Sequence, residues 1–226
     1  MFHKNYQFVK KGGTTKSKLI TIKDWEKELL SALSLGTKHM SLYQLTIEDG
    51  TVFGDRAKIG KLPGLPSEDL SADMYTLTQE IMSNNRLPLY EVSNHAFPGE
   101  ESHHNLIYWR GGDFIGIGPG AHSHIGGVRW WNVKHPAAYA ARMDAGLSPA
   151  KAREILSTQQ HSMEKILLGL RMREGIPTSL IGAGHREDLA AWVGRGYLQG
   201  EDLLAGHIVL TQSGRLVADY LATQLT

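Results

Sequence analysis

Residues 67–92, SEDLSADMYTLTQEIMSNNRLPLYEV, read as a helix running straight into a strand. Ser67 is a good N-cap, and Glu68 and Asp69 place carboxylates in the first turn, where the positive end of the helix dipole favours them. Leu70, Met74, Leu77 and Ile81 then fall on one helical face, and Leu89 to Val92 form a short β-prone run. Upstream the same order appears. Trp25, Leu29, Leu30 and Leu33 make one stripe of a helix that stops at Gly36, and His39 to Leu45 follow as a short strand closed by Thr46, Glu48, Asp49 and Gly50. Helix, strand, helix, strand predicts βα units and a parallel sheet.

On the N-terminal side, residues 1–20 hold five lysines, a Gly-Gly pair and no sustained period, and read as a disordered or atypical arm that does not join the sheet. On the C-terminal side, residues 93–132 are rich in histidine, aromatics and glycine, a helix is expected near Pro136 to Ala145, and Gly146 to Glu154 read as a linker. Ser157 and Gln160 form a Ser-x-x-Gln capping box ahead of Met163, Ile166, Leu167 and Leu170. Beyond it lie a helix with Leu189, Trp192 and Val193, two β-runs around Tyr197–Leu198 and His207–Leu210, and a last helix with Leu216, Val217, Tyr220 and Leu221. The expected organisation is an arm at 1–20, a partial α/β unit at 21–155 and a winged-helix-like unit at 156–226.

Composition narrows the function classes. With 226 residues, 41% hydrophobic and 21% charged, the chain has the make-up of a globular protein with a substantial core, and no apolar run approaches the ~18 residues that span a bilayer. No secretory signal follows the early lysines, so cytoplasm is the expected location. Lys and Arg total 24 against 23 acids, but residues 1–18 contribute five lysines and no acid, leaving the body mildly acidic. Residues 156–226 hold six basic and seven acidic side chains, and Glu187 and Asp188 open the helix that would approach a groove, which argues against nucleic acid as a partner. There is no cysteine, hence no disulfide, no thiolate nucleophile and no cysteine-ligated cluster.

Chemistry concentrates in one stretch. Five of the 11 histidines, His95, His103, His104, His122 and His124, lie within thirty residues of one another, among Asn94, Asn105, Tyr108, Trp109, Trp130 and Trp131. Imidazole ligates metals and haem iron, and aromatic walls suit a flat apolar macrocycle; the same residues also serve as turn and hydrogen-bond fillers. His122-x-His124 places two rings on one strand face, without a third zinc ligand at a recognisable spacing. The run Arg110 to His122, RGGDFIGIGPGAH, is glycine-rich but lacks the Lys-Ser/Thr of a P-loop and the spacing of a dinucleotide fingerprint, and Pro119 removes a donor.

Four segments together carry a resemblance: Ser41-Leu-Tyr-Gln-Leu-Thr-Ile-Glu-Asp-Gly-Thr51, Tyr90-Glu-Val-Ser-Asn94, His104-Asn-Leu-Ile-Tyr-Trp-Arg-Gly-Gly-Asp113 and Gly116-Ile-Gly-Pro-Gly-Ala-His-Ser123. They are similar to the oxygen-independent coproporphyrinogen III oxidase family, a radical S-adenosylmethionine family, and His-Asn-x-x-Tyr-Trp is the mark of its haem-chaperone, HemW-like branch. The resemblance runs from Thr21 to the C-terminus. It implies the C-terminal half of a parallel α/β barrel followed by a small winged-helix-like α+β domain. It further implies haem as ligand, with His104 as the metal ligand, Asn105 orienting the loop, and Tyr108 and Trp109 flanking the macrocycle. The implied partners are haem or porphyrin, a haem-accepting protein, and a homodimer covering an open barrel edge. The alternative is a portion of a coproporphyrinogen III oxidase that decarboxylates propionates by radical chemistry. Family members begin with a Cys-x-x-x-Cys-x-x-Cys loop holding a four-iron four-sulfur cluster, and that half has no match here. The chain therefore reads as a C-terminal portion, of the kind a frameshift or an internal restart produces, with no radical activity alone. Anaerobic reconstitution of this chain with iron and sulfide should yield neither cluster absorbance nor cleavage of S-adenosylmethionine; stoichiometric cluster uptake would refute this.

Overall fold

The computed structural model describes residues 8–11, 14–17, 20–62 and 65–226, and divides into two compact units, residues 1–101 and 102–226. The boundary expected near residue 155 falls inside the second unit, between its three-stranded sheet and its helical core. Of the expected arm, residues 1–7, 12–13 and 18–19 lie outside the described residues. Phe8–Lys11 (β1) and Thr14–Ser17 (β2) pair antiparallel as a two-stranded sheet of their own, joined to none of the other described strands, so these eight residues are strand where a disordered or atypical arm is expected. The two strands are four residues each.

In the first unit, Ile22–Leu33 (α1) begins at a full capping box. The Thr21 side chain accepts from the Asp24 amide at 3.2 Å, and the Asp24 carboxylate accepts from the Thr21 amide at 3.2 Å. Glu68–Asn84 (α3) starts, as expected, at Ser67, whose hydroxyl accepts from the Leu70 amide. The two helices meet through Trp25, whose indole N–H donates to the Thr78 hydroxyl at 2.9 Å. Between them lie His39–Ser41 (β3) and the short helix Val52–Lys58 (α2). Leu89–Glu91 (β4) and Asn94–Ala96 (β5) follow α3, and the sheet order is β3-β5-β4. The pairing corrects the simple parallel expectation. Both β3 and β4 run antiparallel to β5, which sits between them, so β3 and β4 share a direction, as two βα units require, without being neighbours. The strand expected from His39 to Leu45 stops at Ser41, after which only the Leu42 amide continues, to the Ser93 carbonyl. Met40, Met82 and Leu87 make the buried cluster of this unit, and partial burial of the His39 ring, 2.9 Å from the Tyr90 hydroxyl, lowers its pKa below the usual histidine value.

The second unit opens with His103–Trp109 (α4), then a meander of His122–Ile125 (β6), Val128–Asn132 (β7) and Ala150–Ile155 (β8), with Pro136–Asp144 (α5) between the last two. Strand β8 replaces the linker expected at 146–154. Its residues are mostly exposed and charged, so it pairs with β7 by backbone bonds without the apolar alternation that would have revealed it. Thr158–Gly169 (α6) begins at the Ser157–Gln160 capping box, both of whose hydrogen bonds are made. Ile176–Pro177 (β9), Arg186–Gly194 (α7), Gly200–Leu204 (α8) and His207–Ile208 (β10) complete the wing-like part. There β9 pairs with β10, and Leu198 bridges Leu210. The expected last helix is two, Gln212–Leu216 (α9) and Ala218–Gln224 (α10), broken at Val217.

The core of this unit is one cluster that includes Ile166, Leu170, Ile176, Trp192, Ile208 and Leu221. Leu221 is fully buried and Leu204 is 92% exposed, so the two leucines make a matched pair for testing it. Leu221→Ala is expected to cost about 2–5 kcal/mol in urea denaturation. Leu204→Ala should stay within about 0.5 kcal/mol of the parent.

Candidate functional site

Ser102 caps α4 by accepting from the Asn105 amide at 3.3 Å, and the helix ends after seven residues for a local reason. Gly111 adopts φ +63°, which an L side chain seldom tolerates, and lets the chain reverse. The Gly111 amide then donates to the Tyr108 carbonyl at 3.1 Å and the Gly112 amide to the Ile107 carbonyl at 2.8 Å, the paired bonds of a Schellman end. Arg110, at this end, makes a two-pronged contact with Glu174, at 3.1 Å from Nε and 3.0 Å from Nη2.

Positions 104 and 108 are one turn apart, and the structure joins them. The Tyr108 hydroxyl lies 3.0 Å from His104 Nε2, with the rings edge to face at 4.9 Å. Tyr108 in turn packs edge-on against Phe114 at 4.6 Å, and Phe114 lies 6.2 Å from the His124 ring. Phe114 and His124 exchange both backbone hydrogen bonds, at 2.8 and 2.9 Å, which fixes this row from behind. The expected residues are thus only partly brought together. Asn105 sits about 100° around α4 from His104, and Trp109, five positions on, about 140° away, so neither shares the His104–Tyr108 face.

The five clustered histidines disperse. His95 is buried in β5 of the first unit, His103 and His104 are exposed on α4, and His122 and His124 share one face of β6. His122 is exposed and stacks on Trp131, its cross-strand neighbour. His124 is buried, with Nδ1 3.1 Å from the Gly112 carbonyl. A carbonyl only accepts, so Nδ1 carries the proton, and Nε2 is buried with no hydrogen-bond partner among the described residues. Among the described residues no three His, Asp or Glu side chains are grouped to hold a metal ion.

The glycine-rich run turns its backbone donors inward. The Gly116 amide donates to Ser123 Oγ at 2.9 Å, the Gly118 amide to the Tyr139 hydroxyl at 3.3 Å and the Gly120 amide to the Val133 carbonyl at 2.9 Å. A Cβ on Gly116 would stand 2.1 Å from the His122 carbonyl oxygen, so the glycine serves a backbone-to-backbone approach. Asn132, buried on β7, donates to the Gly118 carbonyl at 3.0 Å. Phe114 and Asn132 were not singled out by the sequence, and Ser123 entered only as the last residue of a motif segment; the strand alternation that places Ser123 and Asn132 is seen in the structure.

The chemistry on offer is nitrogen ligation beside apolar surface. His104 presents an exposed imidazole next to Tyr108, 40% exposed, and Ile107, 37% exposed, which suits a haem-sized macrocycle better than a caged ion. For an iron–sulfur cluster the residues do not fit, since no cysteine is present.

No protein-family model matches the chain. Among curated proteins, the haem chaperone HemW of Mycobacterium tuberculosis is 39% identical over 202 residues, covering 89% of this chain and 51% of the relative. HemW of Lactococcus lactis is 40% identical over 146 residues, covering 64% of this chain and 37% of the relative. The chain thus spans about half the length, or less, of the curated relatives it matches. Among solved structures, that of coproporphyrinogen III oxidase (HemN) from Escherichia coli, described as a radical SAM enzyme, aligns with TM-score 0.66 at 16% identity, covering 90% of this chain and 51% of that one. That likeness establishes the partial α/β fold.

Replacing Asn132 tests whether the loop is held as described. Asn132→Leu removes the side-chain donor to the Gly118 carbonyl, which then keeps only the Ala121 amide at 3.3 Å, with an expected loss of about 0.5–1.5 kcal/mol by thermal or chemical denaturation. His122→Ala, at an exposed ring, is expected to change stability by less than about 1 kcal/mol in the same assay.

Proposed function

We propose that this chain, which over the span it shares with its relatives belongs to the HemW-like branch of the oxygen-independent coproporphyrinogen III oxidase family, binds haem on α4 and passes it to an acceptor protein. In this reading residues 21–155 are the barrel portion, 156–226 the winged-helix-like domain, and the setting is the cytoplasm. The observation that carries it is an exposed imidazole at the family's own motif position, His104, with exposed aromatic and aliphatic surface beside it. His104 is the ligand to iron and Tyr108 offers ring surface to the macrocycle, while Asn105 and Trp109, on other faces of α4, act on the segment that carries them. Haem, when bound, would supply an iron centre that accepts a nitrogen donor; His104 would hold it through its imidazole, with Tyr108 and Ile107 as the apolar wall. Among the described residues no helix is long and apolar enough to cross a membrane.

The oxidase reading is the alternative, supported by the fold shared with HemN. The haem-chaperone reading is preferred because the sequence relatives at 39 and 40% identity carry that name, whereas the oxidase match is at 16%. Either way, radical chemistry needs thiolates that this chain does not contain.

Titration with hemin tests the assignment. A Soret shift is expected, and His104→Ala should weaken binding at least tenfold, well beyond the effect of His122→Ala or His124→Ala. Trp109→Ala should act more weakly, through the segment that carries it. If all three histidine variants titrate like the parent, hemin is adsorbing to apolar surface and α4 is not the site. Size-exclusion chromatography with and without hemin shows whether a homodimer forms to cover exposed surface.

A further inference from the structure

Resting on the haem reading above, we infer that Tyr108 is a latch on His104: its hydroxyl occupies the ring nitrogen that ligation needs, and binding proceeds by its displacement. His104 Nε2 lies 3.0 Å from the Tyr108 hydroxyl. If the hydroxyl donates, it uses the lone pair that a metal would take; if Nε2–H donates, the nitrogen carries a proton that must leave first. In both tautomers the pair has to open before Nε2 is available.

The latch is held shut by its surroundings. One helical turn separates the two residues, so the contact forms within α4, without any ligand. Phe114 backs the Tyr108 ring edge-on at 4.6 Å, and Phe114 is itself fixed by its two backbone hydrogen bonds with His124. The ring of Tyr108 therefore has packing that survives loss of its hydroxyl, while the hydroxyl has one partner in the described site. That separates two roles which the motif alone merges: a ring offered as surface, and an oxygen that competes with the ligand for His104.

The contact is exposed, and an exposed neutral hydrogen bond is worth little, so the latch is weak enough to open and strong enough to measure. Tyr108→Phe keeps the ring and its contact with Phe114 and removes only the oxygen. It is expected to tighten hemin binding about three- to tenfold and to speed association by a similar factor, since a net bond of order 1 kcal/mol no longer has to be broken. This is the opposite sign from a tyrosine that positions or ligates.

Two readouts judge it. Hemin titration of the parent, Tyr108→Phe and His104→Ala chains measures affinity, and diethylpyrocarbonate modification of His104 in the haem-free chain, followed by peptide mass spectrometry, measures access to the ring nitrogen. The latch predicts tighter hemin binding and several-fold faster modification of His104 in Tyr108→Phe, with unchanged circular dichroism. Equal or weaker hemin binding in Tyr108→Phe, while His104→Ala loses it, overturns the latch and leaves the haem reading standing. Unchanged modification of His104 overturns the latch as well. If His104→Ala binds hemin like the parent, the haem reading fails, and the latch with it.

Discussion

The geometry of the site hangs on the left-handed turn at Gly111. At φ +63° it closes α4 with two backbone bonds and sends the chain back, and two contacts depend on that reversal. It brings Phe114 opposite His124, where their backbones pair, and it delivers the Gly112 carbonyl to His124 Nδ1. An L residue at 111 would pay about 1 kcal/mol or more for the same conformation, and any relaxation would be felt along the row His104, Tyr108, Phe114 and His124. The Arg110–Glu174 fork holds the same helix end from the side, but both partners are half exposed, so it adds direction more than energy.

The first unit uses its motif residues differently. Glu91 is fully buried on β4, and its carboxylate accepts from the Asn94 side chain and from the Ser93 amide at 3.2 Å. Asn94 in turn accepts from the Ser41 hydroxyl and donates to the Tyr43 hydroxyl at 3.3 Å. A buried carboxylate is costly unless its oxygens are satisfied, and here the donors come from the two-residue link between β4 and β5 and from Asn94 at the start of β5, which β3 holds in turn through Ser41. The polar set thus specifies the antiparallel insertion of β5. Tyr-Glu-Val-Ser-Asn, distinctive as sequence, acts here as a device for strand pairing.

What the sequence made legible was local, and what it hid was pairing. Capping hydroxyls at Ser67 and Ser157 and the apolar stripes behind them located α3 and α6, because a helix satisfies its hydrogen bonds within one segment. Strand β8 escaped because an exposed edge strand of alternating alanine and charge has no apolar face to betray it, and β5 because both its partners precede it, one more than fifty residues away and the other only three to six. At the site, His104 and Tyr108 were singled out by the motif they belong to, whereas the helix that brings position i to i+4 was announced by no periodicity. The five histidines do not act as one set: His95 is buried within the first unit, and in the second His122 stacks on Trp131, His124 is buried against the Gly112 carbonyl, and His103 and His104 are exposed on α4.

Burial decides between the histidines that remain. His124 has the proton arrangement common in metal-bound imidazoles, Nδ1–H on a carbonyl and Nε2 bare, but its Nε2 is sealed beneath protein atoms, where a macrocycle has no approach. His122 is reachable but lies flat against Trp131, so ligation would have to give up that stacking. His104 is reachable edge-on, with only the Tyr108 hydroxyl in the way, and a hydroxyl on an exposed ring is the least costly of the three obstacles to move. The same comparison separates the two chemistries associated with the family by ligand type. A nitrogen donor on α4 is complete within the second unit, whereas cluster chemistry needs thiolates of which the chain has none. The proposed haem site therefore draws its nitrogen and its apolar wall from residues of the second unit, whereas cluster ligation has no donor in this sequence.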